Sequence, residues 1–216
     1  MKALLEPAAR LLLEQYGIPN VPGVFCTNQS ELLQVAGKIG FPIVMKIVSP
    51  DIIHKSEVGG VRLNICNEKA MFRAYEEMLE TVKQRVPEAK IEGVLLTSYI
   101  QKAREVIIGA VEDAQFGQVI MFGLGGIFVE TYKDVSFGIA PVTKKEAQYM
   151  IESIKAYPIL NGARGEMPVN FELLKQIIVN LSTLAYECKV KEVDLNPIFC
   201  FDDKVVAGDV RILLND

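Results

Sequence analysis

The chain of 216 residues has no tryptophan, a single histidine and only four cysteines. Cys26, Cys66, Cys188 and Cys200 lie far apart, without the close spacing of a zinc site or a disulfide framework, and read as reduced thiols of a cytoplasmic protein. No apolar run reaches the ~18 residues that a membrane span needs. The first residues, MKALLEPAARLLLEQYG, interrupt their apolar pattern with Glu6, Arg10 and Glu14, which argues against a secretory leader. Excess positive charge is missing too: a net charge of −4 and a pI near 5.3 argue against a nucleic-acid surface. No internal repeat or low-complexity segment is visible. Neither G-x-x-x-x-G-K-[ST] nor G-x-G-x-x-G occurs, so neither of the two commonest phosphate loops is present. What remains is ordinary globular composition, 50% hydrophobic and 23% charged, in a chain long enough for one large domain or two small ones.

The stretch Phe41 to Ile65, FPIVMKIVSPDIIHKSEVGGVRLNI, carries the densest chemistry. Pro42 to Ile47 is apolar and β-branched and predicts a buried strand, yet Lys46 sits inside it. A buried lysine is rare unless an anion meets it. Ser49-Pro50-Asp51 signals a turn, His54 and Lys55 follow, and Gly59-Gly60 reads as a flexible tip before a second strand, Val61 to Ile65. Two cations, an imidazole and a Gly-Gly step in one loop suit the handling of a phosphate. Each has a bland counterpart. Lys46 alone would read as a strand-edge lysine reaching water, and a lone histidine as a surface residue.

Around this stretch the pattern is mixed α and β, with strands too closely linked for repeated βαβ units. Helices are predicted over Glu6–Tyr16, over about 11 residues after Thr27-Asn28, after Asn67, after Thr143 and over Phe171–Glu187. Further strands are predicted at Val21–Cys26, Ile91–Leu96, Glu105–Val111, Gln118–Phe122 and Ser136–Ala140. FGLGGIFVE, Phe122 to Glu130, reads as a glycine-rich loop able to offer N–H groups to an anion. Leu160 to Asn170, LNGARGEMPVN, reads as an irregular loop carrying Arg164. Near the end, KEVDLNPIFCFDDKVVAGDVRI reads as three short strands. Asp194 and Asn196 share one strand face and Asp209 lies on the return strand. Their oxygens suit Mg²⁺, although solvated strand residues would leave the same pattern.

Four stretches, PIVMKIVSPDIIHKSEVGGV, EVIIGAVEDAQFGQVIMFGLGGIFVE, LNGARG and EVDLNPI followed by GDVRI, together resemble the beta subunit of ADP-forming acyl-CoA (acetyl-CoA) synthetases, which are ATP-grasp proteins. The likeness runs from the first helix to Asp209. It implies an α/β (α+β) ATP-grasp fold over residues 1–216. The lobes would be roughly 20–97 and 98–216, with an N-terminal helix in 1–19 and the nucleotide held between antiparallel sheets. It implies that Lys46 holds nucleotide phosphates, that Ser98, Tyr99 and Ile100 form a hinge pairing with adenine, and that Glu105 reaches the ribose. Gly123, Gly125 and Gly126 would line the phosphate region, with Arg164 contacting phosphate. Asn196 and Asp209, with Asp194, would bind Mg²⁺, and His54 would carry phosphate. Asn170 departs from the aspartate expected after the Arg-Gly loop. The resemblance also implies an alpha subunit with the CoA-binding and ligase domains, in a heterotetramer of two alpha and two beta chains. The reaction would make ATP and free acid from acyl-CoA, ADP and phosphate. The rival expectations are another ATP-grasp carboxylate ligase and a nucleotide-binding regulatory module without catalysis.

Overall fold

A computed structural model describes residues 2–126 and 133–215 of the chain. The chain divides into two compact units, one of residues 21–101 and the other of residues 1–20 with 102–216. No helix among the described residues is long and apolar enough to cross a membrane.

In the first unit, β2 (Gly23–Cys26), β3 (Ile43–Val48), β4 (Val61–Ile65) and β5 (Gly93–Ser98) form an antiparallel sheet in the order β2-β5-β3-β4. Two helices cover one face, α2 (Leu32–Ile39) and α3 (Glu68–Arg85). The 11-residue helix predicted after Asn28 begins instead as a 3-10 turn, Gln29–Glu31. There Glu31 turns back to accept bonds from the backbone and hydroxyl of Thr27 and the amide of Asn28. Those local bonds compete with α-helical geometry. Asn67 caps α3 as the sequence predicts, its Oδ1 accepting from the Ala70 N–H at 2.8 Å. Met71, Ala74, Met78 and Val82 then fall on one helical stripe and are buried against Ile43, Met45, Ile47, Val94 and Leu96. The strand predicted at Ile91–Leu96 slides to Gly93–Ser98 because its register is set by β3, where Val48 meets Gly93 and Ile43 meets Ser98.

The second unit begins with β1 (Lys2–Ala3) and α1 (Glu6–Gln15). Its sheet is completed by β6 (Arg104–Asp113), β7 (Gly117–Leu124), β8 (Val135–Ile139), β9 (Val190–Cys200), β10 (Val205–Ala207) and β11 (Arg211–Leu214). The order is β1-β11-β9-β6-β7-β8, with β10 also on β9, and every named pairing is antiparallel. Among the described residues three helices lie between β8 and β9: α4 (Lys144–Ser153), α5 (Tyr157–Leu160) and α6 (Phe171–Cys188). Thr143 and Glu146 form a reciprocal cap at the start of α4. Side chains of α1, α4 and α6 share a core with Val106, Ile108, Ala110, Ile120, Phe122, Val193, Leu195, Ile198 and Ile212. Alternation sends most of the remaining strand residues to the opposite face, which is helix-free among the described residues. The stretch predicted as an irregular loop, Leu160–Asn170, holds the end of α5 and a 3-10 turn, Ala163–Gly165.

Candidate nucleotide and phosphate site

Lys46 stands in the middle of β3, where all six residues are buried, and is 7% exposed. Ile43, Met45 and Ile47 point to the helices, so Val44, Lys46 and Val48 occupy the other face, with Leu95 and Thr97 of β5 beside them. Burying an ammonium there is costly unless a negative group meets it.

The loop after β3 is a built structure rather than a tether. Ser49 Oγ accepts from Asp51 N–H at 3.1 Å, and Asp51 Oδ2 accepts from Lys90 N–H at 2.7 Å. Ile52 is buried in the core, while Ile53 and His54 are exposed. The Gly59-Gly60 pair is not the flexible tip expected from sequence. It is the packed root of the loop. Gly60 N–H donates to Lys55 carbonyl at 2.7 Å, and Gly60 carbonyl accepts from Ile47 N–H at 2.8 Å. A Cβ on Gly60 would meet Ile47 Cγ2 at 2.5 Å, so the residue is glycine for close approach. Gly59, with φ at +73°, has its carbonyl held by Arg62 at 2.5 Å. His54 therefore projects from a loop fixed at both ends.

Ser98 ends β5, and its N–H donates to Pro22 carbonyl at 2.9 Å; Tyr99 N–H donates to Pro42 carbonyl at 3.0 Å. Two of the three hinge amides are thus already committed, which the sequence could not reveal.

In the second unit, Glu105 is exposed on the helix-free face of β6, and its carbonyl accepts from Gly125 N–H at 2.7 Å. The glycine-rich stretch is accordingly less of a loop than expected. Gly123 lies inside β7, paired with Ile107 and Val135. Gly125 spends its N–H on Glu105, and a Cβ there would press the Glu105 backbone at 3.0 Å. Gly126, in left-handed backbone at φ +67°, is the glycine whose surroundings stay open. Ile127 to Glu130 lie outside the described residues. The Arg164 turn is bracketed by Gly162 and Gly165, both at positive φ, and the side chain of Arg164 lies outside the description as well. Glu166, just after it, is bridged to Arg104 at 2.9 Å. Asn170 caps α6 through Leu173 N–H at 3.0 Å, a task asparagine performs as well as aspartate.

The acidic cluster rests on a register that sequence could not supply. On β6, Val106 faces Ile198 and Ile108 faces Leu195, so Asn196 and Pro197 together oppose Ile107 as a β-bulge. The return path runs along the other edge of β9. Ala207 faces Ile198, and Arg211 faces Asp194. Carrying that register through sets Asp209 level with Asn196. Asp209 is thus in the break between β10 and β11, not on a return strand; Gly208 there donates its N–H to Pro197 carbonyl at 2.8 Å. Asn196 is exposed, and Asp194 and Asp209 are half-buried. Burial pushes the Asp194 carboxyl up from the usual range. Arg211 pulls it down, while Asp209 and Glu192 push it further up. Among the described residues no three His, Cys, Asp or Glu side chains converge into a complete metal cage. The Asp194 and Asp209 carboxylates and the Asn196 amide are hard oxygen donors near one another along β9 and the β10–β11 break. They fit Mg²⁺, which keeps waters and takes further oxygens from phosphates.

A family model described as an ATP-grasp domain matches residues 1–214. The chain belongs to the ATP-grasp family. It is 49% identical over 214 residues to the beta subunit of acetate–CoA ligase [ADP-forming] I of Pyrococcus furiosus, covering 99% of this chain and 92% of that one. An acetate–CoA ligase [ADP-forming] I of Archaeoglobus fulgidus is 42% identical across the whole of this ATP-grasp chain, which spans only 33% of its length. Among solved structures, acetyl-coenzyme A synthetase 1 of Ca. Korarchaeum cryptofilum with coenzyme A and Ca-AMPCP matches at TM-score 0.95 and 41% identity, over 99% of this chain and 94% of that one. A second structure of that enzyme holds Mg-AMPPCP, with its phosphohistidine segment pointing towards the nucleotide binding site. It matches at TM-score 0.85 and 38% identity, over 99% and 93%.

Proposed function

We propose that this chain is the nucleotide-binding subunit of an ADP-forming acyl-CoA synthetase, making ATP from ADP with phosphate and energy drawn from acyl-CoA. The observation that carries this is the likeness to the Pyrococcus beta subunit over 99% of one chain and 92% of the other. The CoA-binding and ligase chemistry belongs to an alpha partner, as a heterotetramer of two chains of each kind. The Archaeoglobus ligase supports that division, because the region shared with this chain is a third of its length.

Each residue then has a task. Lys46 neutralises nucleotide phosphates. The hinge Ser98–Ile100 meets adenine; with Ser98 and Tyr99 amides committed, Ile100 N–H and the hinge carbonyls remain for the base edge. Glu105 accepts from ribose hydroxyls. Gly126 supplies an N–H near the phosphates, with Gly123 and Gly125 shaping the strand end behind it, and Arg164 adds a cation. Asn196 and Asp209 would hold Mg²⁺, with Asp194 behind them. Bound Mg²⁺ would neutralise phosphate charge and orient the transferred group.

His54 is the phosphate carrier. Neutral imidazole is a competent nucleophile near neutral pH. One ring nitrogen attacks the phosphoryl phosphorus delivered by the partner, forming an N–P bond as the donor's bond breaks. A terminal oxygen of ADP then attacks the same phosphorus, the N–P bond breaks, and the imidazole recovers its electron pair. An exposed position on a loop fixed at its root suits a group that must meet two reactants.

The test is partner dependence. The purified chain alone is expected to bind Mg-ADP but to form no ATP from acyl-CoA and phosphate. Adding the CoA-binding partner should switch synthesis on. ATP synthesis from acyl-CoA by the chain alone would overturn the division of labour.

A further inference from the structure

Arg211 is a residue that no task above uses, yet it sits inside the acidic cluster. It opens β11 directly opposite Asp194, and its neighbours Val210 and Ile212 are buried in the core, so Arg211 shares the helix-free face with Asp194. One guanidinium nitrogen is bonded to Glu192 Oε1 and lies 4.0 Å from Asp194 Oδ2. Glu192 is the next residue of β9 on that face. Three carboxylates, Glu192, Asp194 and Asp209, thus fall within a few residues of one another, and Arg211 is bonded to the first and 4.0 Å from the second.

We propose that Arg211 is a positioning residue for the metal pair: it holds the Asp194 carboxylate beside Glu192 and so keeps it off the cation that Asn196 and Asp209 would meet. The proposal rests on the metal reading given above. The physical reason is that Asp194 is half-buried and cannot be left as an uncompensated charge at low cost. Directly opposed side chains on antiparallel strands have Cβ atoms about 5 Å apart, close enough for Arg211 to fix the Asp194 rotamer. Without the guanidinium, Asp194 would be free to turn toward a bound Mg²⁺. It would then compete with Asp209, two residues before Arg211 in the chain. The planar fork can engage two carboxylates at once, which a lysine ammonium does less well.

The test is calorimetric titration of ADP into the purified chain, with and without Mg²⁺. It compares wild type, Arg211→Met, Arg211→Lys, Asp194→Asn and the double variant Arg211→Met with Asp194→Asn, each checked for folding by its melting curve. Arg211→Met is expected to lose about tenfold of the Mg²⁺-dependent gain in affinity, while metal-free ADP binding stays within about twofold. Asp194→Asn alone should lose about threefold, and Arg211→Lys should fall between wild type and Arg211→Met. The deciding result is the double variant. Removing the charge at 194 should rescue Arg211→Met to the level of Asp194→Asn alone. Arg211→Gln is expected to behave like the methionine variant and stands in for it if that one does not fold. Equal losses with and without Mg²⁺, or a double variant no better than Arg211→Met, would overturn the role. A wild-type chain whose ADP affinity gained nothing from Mg²⁺ would instead remove the metal reading itself.

Discussion

At the scale of single residues, the thiols show how burial decides reactivity. Cys26 and Cys200 are sealed in the cores of the two units, and burial pushes their thiols up to about 11 and about 12. Cys66 is exposed, and Cys188 is half-buried with Tyr16 Oη 3.4 Å from its sulfur. Because the thiolate is the nucleophile, a thiol reagent at mildly alkaline pH should modify Cys66 first. Cys26 and Cys200 should stay untouched until denaturant is added. Mass mapping of the modified peptides checks this, and rapid labelling of Cys26 or Cys200 in the native chain would contradict the packing. From the sequence, Lys46 stands out as a lysine in a β-branched run and His54 as the single histidine, which makes both candidates. The sequence could not show that Arg211 faces Asp194, or that Asp209 is level with Asn196. Both depend on register between segments far apart in the chain.

At the scale of elements, local rules succeeded where the determinants were local. Asn67 and Thr143 capped the helices expected of them, and the Met71–Val82 stripe was buried. They failed where tertiary packing chose for them. Gly59-Gly60 reads as flexibility in a sequence, but Gly60 is small because Ile47, itself fully buried, fills the space a side chain would need. Gly60→Ala should therefore cost about 1–3 kcal/mol in overpacking, since neither Ile47 nor the Lys55 carbonyl can yield freely. Urea unfolding checks it: a midpoint unchanged from wild type would mean that the glycine serves mobility after all. In the same way, Gly123 and Gly125 were legible as a glycine cluster. Strand pairing and the bond to Glu105 take two of their N–H groups out of service. The β-bulge at Asn196-Pro197 left no sequence signal beyond the proline.

At the scale of the whole molecule, the described residues form two antiparallel sheets, each packed against helices. Lys46 is buried on the face of β3 turned away from α2 and α3, and His54 is exposed in a loop. Lys46 and the hinge belong to one unit; Glu105, Asp194, Asn196 and Asp209 belong to the other. In the second unit's sheet the apolar alternation commits one face to the core and leaves Glu105, Asp194 and Asn196 off it. In the first unit β3 is buried along its whole length, and Lys46 is the charged residue within it. The proposed carrier role of His54 would join this chain to the proposed alpha partner. The most direct measurement supplies acyl-CoA and radiolabelled phosphate to the reconstituted complex and follows the label on this chain. An acid-labile label should appear here in wild type and be absent in His54→Ala. In that variant ATP synthesis should collapse while Mg-ADP still binds. ATP synthesis that fell only a few-fold in His54→Ala, or a label that persisted on this chain, would contradict the account.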